Sequence, residues 1–177
     1  MANCKLNRNL LKSTACGYSL PEIVKIYLAN FEDVVSYGLA TDSAGCESVS
    51  AITMDTGTTF YQIEPAKNSA SFEDALVVQD NGTKYRTHTL TFNIQGNYDS
   101  CLHIDFDDLS LGKYVAVVYT AEGSYLMLGR KTGLEAETAT LSGGSDNNGI
   151  QIVLSANVAE STIPLSGGAI TTVTGQS

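Results

Sequence analysis

An Asn-Gly turn between two β-rich segments is the feature that most constrains how this chain folds. Residues 75–79 are mostly apolar, residues 80–82 read Asp-Asn-Gly, and residues 83–94 form the second segment. This arrangement predicts a tight β-hairpin, because both central positions of an Asn-Gly turn favour a positive φ. In the second segment, apolar residues at 90, 92 and 94 alternate with threonine and asparagine. That alternation predicts a half-buried strand with a threonine-rich outer face.

Further β-rich segments recur along the chain, separated by turns that contain glycine. They lie at residues 23–28, 58–63, 114–119, 125–128, 134–141 and 150–154. The glycine-rich stretch at 143–149 separates the last two segments and predicts a second hairpin.

A single segment has helical spacing. Its apolar stripe consists of Leu102, Phe106 and Leu109, at positions i, i+4 and i+7. Asn97 is a candidate N-cap and Gly112 a candidate stop. The pattern predicts one α-helix at about 98–111.

These segments predict a mainly β fold: an antiparallel β-sandwich or barrel with one flanking helix. A length of 177 residues favours a single domain. We divide the chain into a basic N-terminal arm at 1–20, a β-sandwich domain with the helix at 21–158, and a C-terminal tail at 159–177. The tail is rich in serine, threonine and glycine, so we expect it to be mobile or ordered by a partner.

The charge is strongly acidic, with 19 acidic against 10 basic residues and a net charge of −9. This balance disfavours specific nucleic-acid binding, because the chain repels phosphates. The arm is the exception: it carries Lys5, Arg8 and Lys12 and no acidic residue. We expect these three cations to contact an acidic neighbour, such as another copy of the chain. The alternative is a solvated arm with scattered charges.

The four cysteines have no C-x-x-C spacing, so they do not predict a zinc site. The first residues contain no apolar signal core, and we expect free thiols at Cys4, Cys16, Cys46 and Cys101 in a reducing cytosol. No apolar run reaches the roughly 18 residues of a spanning helix, so we expect no membrane insertion.

The search for catalytic chemistry finds no established motif. Asp105, Asp107 and Asp108 form the densest acidic cluster, but the helical stripe turns them outward, as on a solvated helix face. His88 and His103 lack a positioned nucleophile. We predict no catalytic, metal or cofactor-binding residues and no enzyme activity. A hydrolase that uses one of the three aspartates is an alternative.

The many expected strand edges indicate an assembly, because a free protein with long uncovered edges aggregates. The element order resembles that of small virion proteins of Bacteroidetes-infecting tailed bacteriophages, including crAss-like phages, related to tail tube and tail hub subunits. The resemblance covers most of the chain in loose motifs: Cys4, Cys16 and Gly17, then residues 26–33, 114–119, 123–129, 133–135, 146–149 and 150–154.

The resemblance implies a tail-tube-like fold with two packed antiparallel sheets and a flanking helix. Subunits would form a homo-oligomeric ring, usually a hexamer, whose inner β-barrel passes double-stranded DNA through an acidic lumen during ejection. The partners would be other copies and other tail and connector proteins, with no cofactor. The location would be the virion tail, after assembly in the bacterial host cytoplasm. The alternative is a capsid decoration or adhesion-type β-sandwich that binds an external ligand.

Overall fold

The computed structural model describes residues 22–96, 99–144 and 148–175. Strands make up 54% of the structure and helices 13%, and the paired strands are antiparallel, which confirms the mainly β class. The predicted arm at 1–20 lies outside the described residues.

The described chain has eleven strands, two α-helices and one short 3-10 helix. The strands are β1 Ile23–Asn30, β2 Val34–Thr41, β3 Glu47–Met54, β4 Tyr61–Ile63, β5 Ser71–Val78, β6 Lys84–Ile94, β7 Lys113–Thr120, β8 Tyr125–Leu128, β9 Leu134–Ser142, β10 Gly149–Val158 and β11 Ile163–Pro164. The helices are α1 Leu102–Leu111 and α2 Gly168–Thr174, and the 3-10 turn is Phe31–Asp33.

The β1–β7 pair forms the centre of the fold. These strands pair antiparallel from Ile23 opposite Thr120 to Asn30 opposite Tyr114. Val115 and Val118 are both fully buried, although consecutive strand residues alternate between the two faces of a sheet. The pair is therefore covered on both faces, which explains why its sequence is continuously apolar rather than alternating.

The nine-stranded sheet that contains this pair folds over on itself. β4, β1, β7, β8 and β11 form one half, and β9, β10, β6 and β5 form the other. The two halves are joined where Lys113 and Tyr114 pair with Glu135 and Leu134. One apolar cluster, which includes Leu28, Phe92 and Ile152, packs between them. The sheet does not close into a barrel in the described chain.

A third layer covers the other face of the central half. It consists of the two-stranded sheet β2–β3 together with α2. Val49 of β3 and Val173 of α2 pack there with Val117 of β7. The sequence analysis assigned no strand to β2 or β3.

Both predicted hairpins are confirmed, because β5 pairs with β6 and β9 pairs with β10. The first turn differs from a two-residue Asn-Gly turn: the Gln79 and Gly82 amides donate to the Thr83 and Gln79 carbonyls, which closes a three-residue connection. Gly82 has φ +82°, whereas Asn81 does not have a positive φ. This is the three-residue hairpin in which only the last position is left-handed.

The predicted helix is shorter than expected, because α1 begins at Leu102. Asn97, the expected N-cap, lies outside the described residues. The apolar stripe is confirmed, since Leu102, Phe106 and Leu109 pack against the cluster between the sheet halves. Gly112 ends the helix, and its amide donates to the Asp108 carbonyl.

The prediction of a single helix is wrong. The second helix lies in the segment that was expected to be a mobile or partner-ordered tail. Residues 159–175 contain β11 and α2, which pack within the same chain. Ala169 and Val173 lie one turn apart on α2 and are both buried. The segment has low helix propensity, so packing rather than local preference stabilises this short helix.

Gly149 is a position where only glycine fits. Its φ is +120°, and a Cβ there would overlap the backbone carbonyl oxygen of Ile94. Gly82 also has a positive φ but has open space around it. We expect Gly149→Ala to lower the free energy of unfolding by about 3 kcal/mol or more, and Gly82→Ala by about 1 kcal/mol. Urea denaturation measures both, and equal losses would contradict the close approach at Gly149.

Candidate functional site

The residues predicted to make inter-subunit contacts, Lys5, Arg8 and Lys12, lie outside the described residues. The structure therefore neither brings them together nor separates them. The features that bear on function in the described chain are its open strand edges, one sheet face and a buried polar cluster.

The outer half of the large sheet ends in two open edges. β5 pairs only with β6, and β9 beyond Leu134 and Glu135 pairs only with β10. Leu76 and Val78 on β5 are 58% and 56% exposed, and Leu141 on β9 is 44% exposed. Each edge therefore combines unpaired backbone groups with exposed aliphatic side chains, a combination that favours pairing with another strand.

The face of this half-sheet that points away from the core is rich in hydroxyl and amide groups. The registers place these side chains there: Ser71, Thr87, Thr89, Thr91, Asn93, Thr138, Thr140, Ser142, Gln151, Ser155 and Asn157. Glu73 and Glu135 lie on the same face, and Glu137 lies at the β9 bulge. No lysine or arginine occupies an outward position on these four strands. The threonine-rich outer face predicted for β6 is confirmed.

The described chain keeps the strongly acidic balance. It contains 18 acidic and 7 basic residues once Lys5, Arg8, Lys12 and Asp146 are set aside. Four of the basic residues are neutralised in ion pairs with carboxylates: Arg86, Lys113, Arg130 and Lys131. The free surface charge is therefore predominantly negative.

A polar cluster at the base of the β5–β6 hairpin attaches the C-terminal segment to the hairpin. Arg86 Nε donates to Asp74 Oδ1 over 2.6 Å, and the Thr162 amide donates to Asp74 Oδ2 over 2.9 Å. Burial alone would raise the pKa of Asp74. The hydrogen bonds from Arg86 and Thr162 and the charges of His88 and Arg86 outweigh burial and hold that pKa below 3.8.

Glu160 makes the second attachment of the C-terminal segment. Its side chain is 5% exposed, lies 3.3 Å from Arg130 Nη2 and accepts the Lys131 amide at 2.8 Å. Burial, followed by the negative charge of Glu160, raises the pKa of Tyr37 to about 12 against an opposing effect of Arg130. The two attachments hold residues 160–162 against β5 and against the turn between β8 and β9.

His88 is the buried member of the polar cluster, with 1% exposure. Its Nδ1 accepts the Gly129 amide at 3.2 Å, which assigns the proton to Nε2, 3.6 Å from Asp74 Oδ1. Burial lowers the pKa of His88 below 6.5, although the charges of Asp74 and Glu160 oppose it. The neutral ring therefore acts as a structural group of the core.

The residues considered for catalysis are not brought together. Asp105, Asp107 and Asp108 are exposed on α1, as predicted, and His103 is exposed on the same helix, whereas His88 is buried in β6. Within the described ranges, no group of three or more histidine, cysteine, aspartate or glutamate residues is arranged to hold a metal ion. None of the helices described is long and apolar enough to cross a membrane.

Comparisons with protein-family models, with curated proteins and with solved structures found no match.

The titration of His88 predicts a pH dependence of stability. The unfolded chain binds a proton at this residue near pH 6.5, whereas the folded chain binds it only at lower pH. The free energy of unfolding should therefore fall as pH is lowered from 6.5, until the folded chain is also protonated. A second loss follows below pH 3.8, where Asp74 is protonated first in the unfolded chain.

We expect His88→Gln to flatten the first of these two losses and to keep the second. Urea denaturation at a series of pH values measures the slope. His103→Gln is the matched control, because His103 is exposed on α1. If His88→Gln and wild type have the same slope between pH 6.5 and 5, the burial account of His88 is incorrect.

Proposed function

We propose that this protein is a structural subunit of a bacteriophage tail. Copies of it assemble into a ring, in the usual case a hexamer, around a passage for double-stranded DNA. The observation that carries the proposal is the pair of open edges at β5 and β9 in the described chain, each with an exposed aliphatic side chain, on opposite sides of one four-stranded sheet. A tail tube, a hub ring and a terminator ring would each require these edges to be paired between copies.

Strand direction supports closure of such a ring. Successive antiparallel pairings make β5 and β10 run one way and β6 and β9 the other. Rotation about a ring axis preserves strand direction, so β5 of one copy meets β9 of the next copy antiparallel. The contact is head-to-tail, and a head-to-tail contact that closes removes every free edge of the inner sheet.

The composition of the outward sheet face supports its assignment as the wall of the passage. That face carries hydroxyl and amide groups with Glu73 and Glu135, and its four strands present no lysine or arginine there. Lys113 of β7 pairs opposite Glu135 at the border of this face, and its Nζ forms an ion pair with that carboxylate. Cations on the wall would bind phosphates and slow the DNA, because phosphate contacts dominate affinity for DNA. The passage is thus mainly hydroxyl-lined and weakly acidic.

The β5 edge provides the first test. Leu76→Lys places a charge on that edge, and edge lysines oppose strand pairing. Leu111→Lys is the control, because Leu111 is 86% exposed and lies at the C-terminal end of α1, outside both edge strands. Mass photometry and averaged images of negatively stained protein should show rings for wild type and Leu111→Lys, and dispersed subunits for Leu76→Lys.

Wild-type protein that stays monomeric up to its solubility limit would contradict the ring, and so would rings that survive Leu76→Lys. A monomer or trimer with a ligand-binding surface is the outcome expected of a decoration or adhesion protein.

The arm provides the second test. Reversing the charges of Lys5, Arg8 and Lys12 to glutamate should weaken the stacking of one ring on the next, because the arm would then repel acidic neighbours. The melting temperature should stay within about 2 °C of wild type, since the proposal assigns these cations to contacts between rings and not to the folding of the subunit. Sedimentation velocity measures stacking, and unchanged stacking would remove the arm from the contact.

A further inference from the structure

We propose that residues 5–12 of the N-terminal arm add to the open edge of β2 as a third strand of the β2–β3 sheet. The inference goes beyond the ring, because it concerns a different edge on a different sheet.

β2 is the least protected edge in the described chain. It pairs only with β3, extends over eight residues and contains no charged residue and no proline. Val35 is 64% exposed and Leu39 is 49% exposed. Two register shifts bend this pair, but they leave the outer backbone groups of β2 without a strand partner.

The other edges of the described chain have features that β2 lacks. β4 has three residues and β11 has two, so neither offers a long template. β5 carries Glu73 and Asp74 within the strand, and β9 carries Glu135 and Glu137. An eight-residue apolar edge without such protection is expected to be covered in the functional protein.

Acidic residues border this edge at both ends. Asp33 precedes β2 and Asp42 follows it. The Asp55 amide donates to the Asp33 carbonyl, which brings Asp55 to the first end, and Glu47 pairs opposite Thr41 at the second. None of these four carboxylates forms an ion pair with a described residue.

The arm has the complementary chemistry. Residues 5–12 match β2 in length, contain no acidic residue, and interleave three leucines with three cations: Lys5, Leu6, Arg8, Leu10, Leu11 and Lys12. Strand addition supplies backbone hydrogen bonds to the edge, while the side chains determine which segment binds. In this arrangement the leucines would cover Val35 and Leu39, and the cations would lie near the acidic residues at the ends of the edge.

Photocrosslinking of the full chain tests whether the arm binds at the β2 edge. A benzoylphenylalanine in place of Asn9 should crosslink mainly to residues 34–41 after irradiation, as located by peptide mass spectrometry. Leu39→Lys should lower the yield about tenfold, because it removes apolar contact and repels the arm. Leu76→Lys, a similar change on the β5 edge, should leave the yield within about twofold of wild type.

Several results would overturn the inference: crosslinks that fall mainly outside residues 34–41, a Leu39→Lys yield equal to wild type, or equal effects of Leu39→Lys and Leu76→Lys. Circular dichroism first establishes that each variant is folded. Mixing heavy-isotope and normal chains shows whether the arm binds β2 of its own chain or β2 of a second copy. Either result supports the binding of the arm to β2. The two proposals are tested separately: Leu76→Lys should abolish the rings and keep the crosslink at β2, so the loss of one does not imply the loss of the other.

Discussion

The burial of the β1–β7 pair on both faces is the interaction on which the rest of the structure depends. Ala116 and Val118 face the outer half-sheet, whereas Val115 and Val117 face β2–β3 and α2. All four are fully buried. At roughly 25 cal/mol per Å² of apolar surface, each cluster stabilises its own layer, and both layers pack on this pair.

This arrangement determines which strands lie at the edges of each layer. Because the central pair needs cover on both faces, β5 and β9 end the outer layer and β2 ends the opposite layer. The polar cluster of Asp74, Arg86 and His88 then holds the C-terminal segment beside the hairpin base without closing any of these edges. A chain built in this way buries its core and leaves these strand edges open in the described residues.

Continuous apolar runs predicted β1 and β7, and the Asn-Gly signal predicted the β5–β6 hairpin, because both effects are local. The polar cluster depends on register and could not be predicted. A two-residue turn at 81–82 would place Asp74 opposite Thr89, whereas the three-residue connection places it opposite His88. A one-residue slip moves every side chain to the other face. α2 was missed because its β-branched, glycine-flanked sequence becomes helical only through packing.

Amide hydrogen exchange on the full chain, dispersed and assembled, tests most directly whether strand edges are completed by sister copies. Backbone amides of β5 and of β9 beyond Glu135 should exchange more slowly on assembly, because their outward groups gain partners. Those of β7 should not change, since β7 is already paired on both sides. Particles that form without any slowing at β5 or β9 would contradict the account.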